Sequence, residues 1–209
     1  MRIDAHHSYS EQYTLAHLET ILKRNRFEGS VLVGALVDTP DFVRGIVVPT
    51  AEWHDSFTSH PKFRGIATKS LHLPWKELEA RRIPVDFAAP LTELPDLAAR
   101  YPDLPLCVDH LGGPPNEDWP HLLELAAQFP MVCCKLSGLA MFSEPRSYVQ
   151  HALRVFGPDR LMFGSDWPNG LPAHTWKANL AMFTQAIGAQ SIETREQLLG
   201  ATAARFYGL

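Results

Sequence analysis

The chain has few of the features that mark secreted, membrane-bound or nucleic-acid-binding proteins. Three cysteines in 209 residues, Cys107, Cys133 and Cys134, are too few and too odd in number for a disulfide framework. Each sits in an apolar run, as a buried thiol does. The adjacency of Cys133 and Cys134 suits neither C-x-x-C zinc spacing nor easy disulfide geometry. No apolar run is long enough to span a membrane, and the opening Met-Arg-Ile-Asp-Ala-His-His does not read as a signal peptide. Positive charge is also in short supply, with 19 Lys+Arg against 23 Asp+Glu and a formal net charge of −4. No basic stripe interleaves with aromatics, so neither a polyanion nor a nucleic acid is expected as partner. A reducing, cytoplasmic setting follows as the expectation.

What the chain does have is an ordinary globular composition, 45% hydrophobic and 20% charged, and enough length to bury a core. Eight short apolar segments recur: Arg2–Ala5, Gly29–Leu36, Phe42–Val48, Phe63–Thr68, Pro84–Ala88, Leu106–Asp109, Met131–Leu136 and Leu161–Gly164. Most are continuously apolar rather than alternating, the pattern of strands covered on both faces. Helical spacing fills most of the intervals, over Thr14–Arg26, Trp75–Arg82, Leu91–Tyr101, Trp119–Phe129, Tyr148–Phe156, His174–Ile187 and Ile192–Phe206. Alternation of this kind predicts an α/β fold with a parallel sheet, and eight strands favour a (β/α)8 barrel over residues 1–209 as a single domain. Only Val-Asp-Thr-Pro-Asp separates Leu36 from Phe42, and the stretch from Pro49 to Lys62 is also lean. The barrel should therefore be trimmed around its second and third units. Apolar surface left by that trimming would suit a homodimer.

Three segments end in groups able to do chemistry. Arg2-Ile-Asp-Ala-His6, Leu106-Cys-Val-Asp-His110 and Leu161-Met-Phe-Gly-Ser-Asp166 each carry an ionisable side chain where an apolar strand stops. A carboxylate there is costly unless something uses it, and the carboxyl ends of the strands are where a barrel of this type builds its active site. Strand parity puts Asp4, His6 and Ser8 on one face, Val108 and His110 on one face, and Met162, Gly164 and Asp166 on one face. It turns His7 away from His6 and leaves Asp109 opposite His110 as a structural residue. Asp4 is expected to be a structural partner low in the barrel. Lys135, ending the seventh strand, would pair with Asp166 and keep it ionised. Ser137 and Ser165 lack a Gly-x-Ser-x-Gly elbow and read as turn residues. Gly112-Gly113-Pro114-Pro115 reads as a turn rather than a phosphate cradle. Trp167 is the expected wall of the substrate pocket, with Lys69 and His72 as further substrate contacts.

The ordered set Ile3-Asp-Ala-His6, Val108-Asp-His-Leu-Gly112, Cys134-Lys-Leu-Ser-Gly138, Phe156-Gly-Pro-Asp-Arg-Leu-Met-Phe-Gly-Ser-Asp-Trp-Pro168 and Ala203-Ala-Arg-Phe-Tyr-Gly-Leu209 resembles the lactonase branch of the amidohydrolase superfamily. That branch includes sugar-acid lactonases and pyrone dicarboxylate lactonase, all (β/α)8 barrels. The resemblance implies a hydrolase that opens a lactone or similar cyclic ester of a sugar acid or carboxylated small molecule. It places His6, His110 and Asp166 at the catalytic positions. In metal-dependent relatives the same positions bind a divalent ion, with help from a second histidine on the first strand, a lysine or glutamate on the fourth and a histidine on the fifth. Here Ser8 stands at the second histidine, the fourth strand offers Lys69, and Pro84-Val-Asp-Phe-Ala88 has no histidine.

The expected chemistry is therefore metal-free. Asp166 serves as base for water, His6 or His110 polarises the carbonyl oxygen, and Asp166 returns the proton to the leaving alkoxide. Should a metal such as zinc bind, His6, His110 and Asp166 are its ligands. The alternatives are a metal-dependent decarboxylase or hydrolase of the same superfamily, and a degenerate barrel that only binds a ligand.

Overall fold

The computed structural model describes residues 1–113 and 117–209; Pro114 and Pro115 of the expected Gly112–Pro115 turn lie outside the described residues. The strands are β1 (Ile3–Ser8), β2 (Gly29–Val33), β3 (Val43–Pro49), β4 (Phe63–Thr68), β5 (Val85–Phe87), β6 (Leu106–Val108), β7 (Val132–Leu136) and β8 (Leu161–Phe163). They form one sheet in chain order, every neighbouring pair parallel. The seam between β8 and β1 is drawn together beyond the end of β8, where Asp166 N donates to His6 O at 2.9 Å and Ser8 N donates to Trp167 O at 2.8 Å. This is the expected (β/α)8 barrel, closed at the rim that carries Asp166.

The helices are α1 (Leu15–Arg24), α2 (Trp75–Ala80), α3 (Leu94–Arg100), α4 (Trp119–Ala127), α5 (Pro145–Phe156), α6 (Trp176–Ile187), α7 (Ile192–Glu196) and α8 (Thr202–Tyr207). The trimming falls where the short connections predicted it. Between β2 and β3 there is no helix, and between β3 and β4 only a single tight turn, Asp55–Ser59. Among the boundaries that differ from the sequence reading, two have a clear physical cause. Helix α5 begins at Pro145, three residues early, because proline is pre-set for the first helical turn and gives up an amide that would be unpaired there anyway. The last expected helix is interrupted at Gln197–Ala201 by one wide π turn. There Gly200 lies so close to the backbone of Met1 and Arg2 that a side chain would collide with both.

The core has two parts. Ile3, Ala5, Val31, Val47, Cys107, Cys133 and Met162 fill the barrel interior with Ala203 and Tyr207 of α8. Leu32, Ile46, Ile66, Val85, Leu106, Val108, Leu136, Leu161 and Phe163 face outward onto the helices. Alternation between those two sets fixes which strand residues look into the barrel. Helix α8 closes the end opposite the site: Thr202 Oγ1 donates to the carbonyls of Pro158 and Asp159, just before β8. No helix among the described residues is long and apolar enough to cross a membrane.

Candidate active site

His6, His110 and Asp166 converge at the carboxyl end of the barrel, each offering a ligand-type atom within 4.8 Å of the others. His6 Nε2 lies 3.9 Å from Asp166 Oδ1, and the two imidazoles meet edge to face with centroids 4.6 Å apart. The three arrive by different backbone devices. In β1 the register slips between Asp4 and His7. That bulge leaves Ala5 in the interior and His6 on the same side, while Asp4 and His7 turn outward. The parity reading that joined Asp4, His6 and Ser8 on one face is corrected by this one inserted residue. His110 follows Val108, which faces outward. A left-handed backbone at His110 (φ 49°) and Leu111 (φ 55°) swings the ring back over the site, a conformation that costs roughly 1 kcal/mol or more per residue. Asp166 is held in the same left-handed region (φ 55°). Three strained or irregular residues at one rim are the kind of local expense that a working site retains.

Asp109 and Asp86 complete the site from below. Asp109 follows Cys107 on the inward parity and is buried. The structure thus corrects the sequence expectation that set it on the far face from the site. Lys135, inward on β7 and fully buried, does not pair with Asp166 as expected. It forms a close ion pair with Asp86, lies 2.8 Å from Asp109 Oδ1, and reaches His6 Nδ1 at 3.3 Å. Tyr207 OH donates to the other oxygen of Asp86 at 2.7 Å. The expectation failed because the seventh strand's nearest inward carboxylates come from β5 and β6, not from the rim of β8. Burial works against charge on Lys135, but the carboxylates of Asp109 and Asp86 more than offset it and push the ammonium above the ordinary lysine value. Burial likewise opposes charge on Asp109, yet Lys135 and then His6 hold it well below the usual carboxylate range. Burial pushes Asp86 up despite the ammonium beside it. The same burial takes Lys135 out of reach of any substrate. Apolar strands that each carry one lone charge, as Asp86, Asp109 and Lys135 do, were the available sequence signal for this network.

His110 is fixed from behind: its Nδ1 lies 2.9 Å from Ser137 Oγ. Burial, with His6 alongside, pulls it down to about 4. Two glycines make this packing possible. A Cβ on Gly164 would sit 2.8 Å from His6 Cβ and 3.0 Å from Ser137 Cβ, and one on Gly138 (φ 60°) would sit 3.0 Å from His110 Nδ1. His7 is buried on the outer face, its Nε2 3.0 Å from Ser30 Oγ and its Nδ1 3.3 Å from Ser8 O; burial takes it down to about 3. Asp4 ties the rim together by accepting from Ser165 N at 2.8 Å and Trp176 Nε1 at 2.7 Å, at the height of the seam rather than low in the barrel.

The remaining expected contacts divide. Lys69 borders a cavity of about 450 Å³ at the ends of β2 to β6, together with Val33, Thr50, Ala67 and Asp109. His72 is exposed on the loop after β4, away from that lining. Trp167 is 3% exposed and packs edge-on against Tyr13, so it supports the rim from within instead of walling an open pocket.

The amidohydrolase family pattern matches residues 37–209, and that stretch carries Asp109, His110, Lys135 and Asp166. The chain belongs to the amidohydrolase family. It is 30% identical over 212 aligned residues to an L-fucono-1,5-lactonase of Burkholderia multivorans, covering 89% of this chain and 62% of the relative. The chain spans between half and just under two thirds of the length of the curated relatives it matches. Among solved structures, a zinc-bound amidohydrolase of B. multivorans superposes with a TM-score of 0.80 at 23% identity, covering 100% of this chain and 99% of that one. A putative 2-pyrone-4,6-dicarboxylic acid hydrolase of Pseudomonas putida superposes with a TM-score of 0.76 at 18% identity, covering 99% and 97%. These superpositions show the shared barrel fold.

Proposed function

We propose that this amidohydrolase hydrolyses a lactone or similar cyclic ester of a sugar acid or carboxylated small molecule, with Asp166 as general base. The observation that carries the reading is the convergence of His6, His110 and Asp166 within 4.8 Å at the barrel mouth. The likeness to an L-fucono-1,5-lactonase supports a sugar lactone as the substrate class. Water beside Asp166 gives its proton to the carboxylate as its oxygen attacks the carbonyl carbon. The carbonyl electron pair moves onto oxygen, where an imidazole N–H stabilises the growing charge. When that pair returns, the ring C–O bond breaks, and the departing alkoxide takes the proton from Asp166. The net products are the open hydroxy acid and, at neutral pH, one released proton. Lys69, which borders the cavity, is assigned in this reading to an anionic or hydroxylated part of the substrate.

Two imidazoles and a carboxylate form a donor set that zinc accepts, so His6, His110 and Asp166 could hold a divalent ion, which would polarise the carbonyl when bound. Against that fit stands the ammonium of Lys135 behind His6 Nδ1, and Ser8 ends β1 where a further imidazole would be needed to strengthen the set. The chemistry is therefore assigned to the side chains alone. Acid release, followed with a pH indicator, from L-fucono-1,5-lactone, other sugar lactones and a pyrone dicarboxylate lactone tests this. Release from at least one supports the reading; inertness towards all of them rejects it.

A further inference from the structure

We propose that Lys135 is a positioning residue that fixes His6 as its Nε2–H tautomer. His6 is thereby a standing hydrogen-bond donor to the carbonyl oxygen, and its Nε2 lone pair is withheld from a metal. The inference rests on the lactonase reading for its chemical role, but the tautomer itself is a property of the resting protein.

An ammonium has donors and no acceptor, so a nitrogen 3.3 Å from Lys135 Nζ must offer it a lone pair. Nδ1 of His6 is that nitrogen, which leaves the ring proton on Nε2, the atom facing Asp166 at 3.9 Å. The competing tautomer would need Nδ1–H to donate to Asp109 Oδ1. That oxygen is 3.7 Å away, beyond hydrogen-bond range, and it already lies 2.8 Å from the ammonium. Lys135 cannot easily give up its charge, because it sits between two buried carboxylates.

The second histidine is held differently. Ser137 Oγ, two residues along from Lys135 and 2.9 Å from His110 Nδ1, is a hydroxyl that both donates and accepts. It orients the ring without choosing its tautomer. The end of β7 thus gives the two imidazoles different duties: His6 always donates, whereas His110 can exchange a proton with the leaving alkoxide or with Asp166. A metal would need the bare Nε2 of His6, and so would force a proton onto Nδ1 against the ammonium.

The test is the ring-nitrogen chemical shifts of 15N-histidine-labelled, metal-free protein near neutral pH, with the His6 signals assigned by their loss in His6→Gln. A protonated Nε2 with a bare Nδ1 is expected; the opposite tautomer, or a rapidly averaging mixture, overturns the proposal. No variant at Lys135 is needed for this reading. Where Lys135→Met folds, its His6 signals should lose the fixed tautomer, and it should bind zinc about tenfold or more tightly than the parent in a competition titration. Unchanged zinc affinity and an unchanged tautomer in that variant would also overturn it. Because neither readout uses substrate, a failed lactone assay and a failed tautomer assignment are told apart.

Discussion

Asn169 Nδ2 donates to Asp166 Oδ1 at 2.8 Å, from three residues along the same turn. One oxygen of the proposed base is thereby engaged, which fixes the direction in which the other points. A base held in this way gains most of its effect from placement. Asn169→Ala should lower kcat about tenfold or more while leaving the folding midpoint within about 0.5 kcal/mol, since the residue is exposed. A loss of stability equal to the loss of activity would count against a positioning role.

Gly164 tests how closely the site is packed. In Gly164→Ala the new methyl would press on Cβ of both His6 and Ser137. Overpacking of this kind costs about 1–3 kcal/mol, and shifting the two histidines' supports should cost activity as much as 100-fold. Circular dichroism melting alongside the acid-release assay separates the two effects. An active Gly164→Ala enzyme would show that the close packing of Gly164 against His6 and Ser137 is not part of the working geometry.

Acid should weaken the fold through its buried neutral histidines. His7 titrates near 3 in the folded chain because burial opposes its charge, whereas an unfolded histidine titrates near 6.5. Between those values the unfolded chain binds the extra proton, so stability falls as pH drops from about 6.5 towards 3. The slope is about 1.4 kcal/mol per pH unit at most for one histidine. His7→Gln can keep the hydrogen bonds to Ser30 and Ser8 without titrating, and urea unfolding of this variant should show a flatter pH dependence than the parent. Equal slopes for the two proteins would refute a neutral, buried His7. Comparison with the parent removes the opposing influence of Asp4 and Asp86, whose carboxyls burial pushes up.

The rim latch is a separate matter of stability. Trp176 Nε1 donates to the buried Asp4 Oδ2 at 2.7 Å, and the indole packs against Phe27 and Phe163. Trp176→Phe keeps most of the packing but leaves Asp4 short of a donor, at a cost of about 1–3 kcal/mol. Denaturant unfolding measures this directly, and a change below about 0.5 kcal/mol would mean that Asp4 finds its partner elsewhere.

The barrel was readable in the chain because its strands are buried on both faces and so stand out as largely apolar runs, continuous from Ile46 to Val48 and from Leu106 to Val108. The missing β2–β3 helix was equally readable from the few residues between Leu36 and Phe42. The convergence of His6, His110 and Asp166 could be anticipated because each ends such a run. What parity could not supply was which way each one points. A single inserted residue in β1 puts Asp4 and His6 on opposite faces, and a left-handed turn at His110 returns to the site a side chain that alternation sends outward. The partners of Lys135 were hidden for another reason. Asp86 and Asp109 approach it across strands far apart in the chain, and each alone looks like a stray charge in an apolar strand.

In the proposed mechanism Asp166 activates water without a metal. The most direct measurement is the rate of acid release from the best lactone by the parent and by Asp166→Asn, each with and without an excess of chelator. The parent rate should be untouched by chelator, and the variant should be slower by a factor of about 10² to 10⁴. A parent rate abolished by chelator and restored by zinc would contradict it, and so would an Asp166→Asn enzyme as fast as the parent.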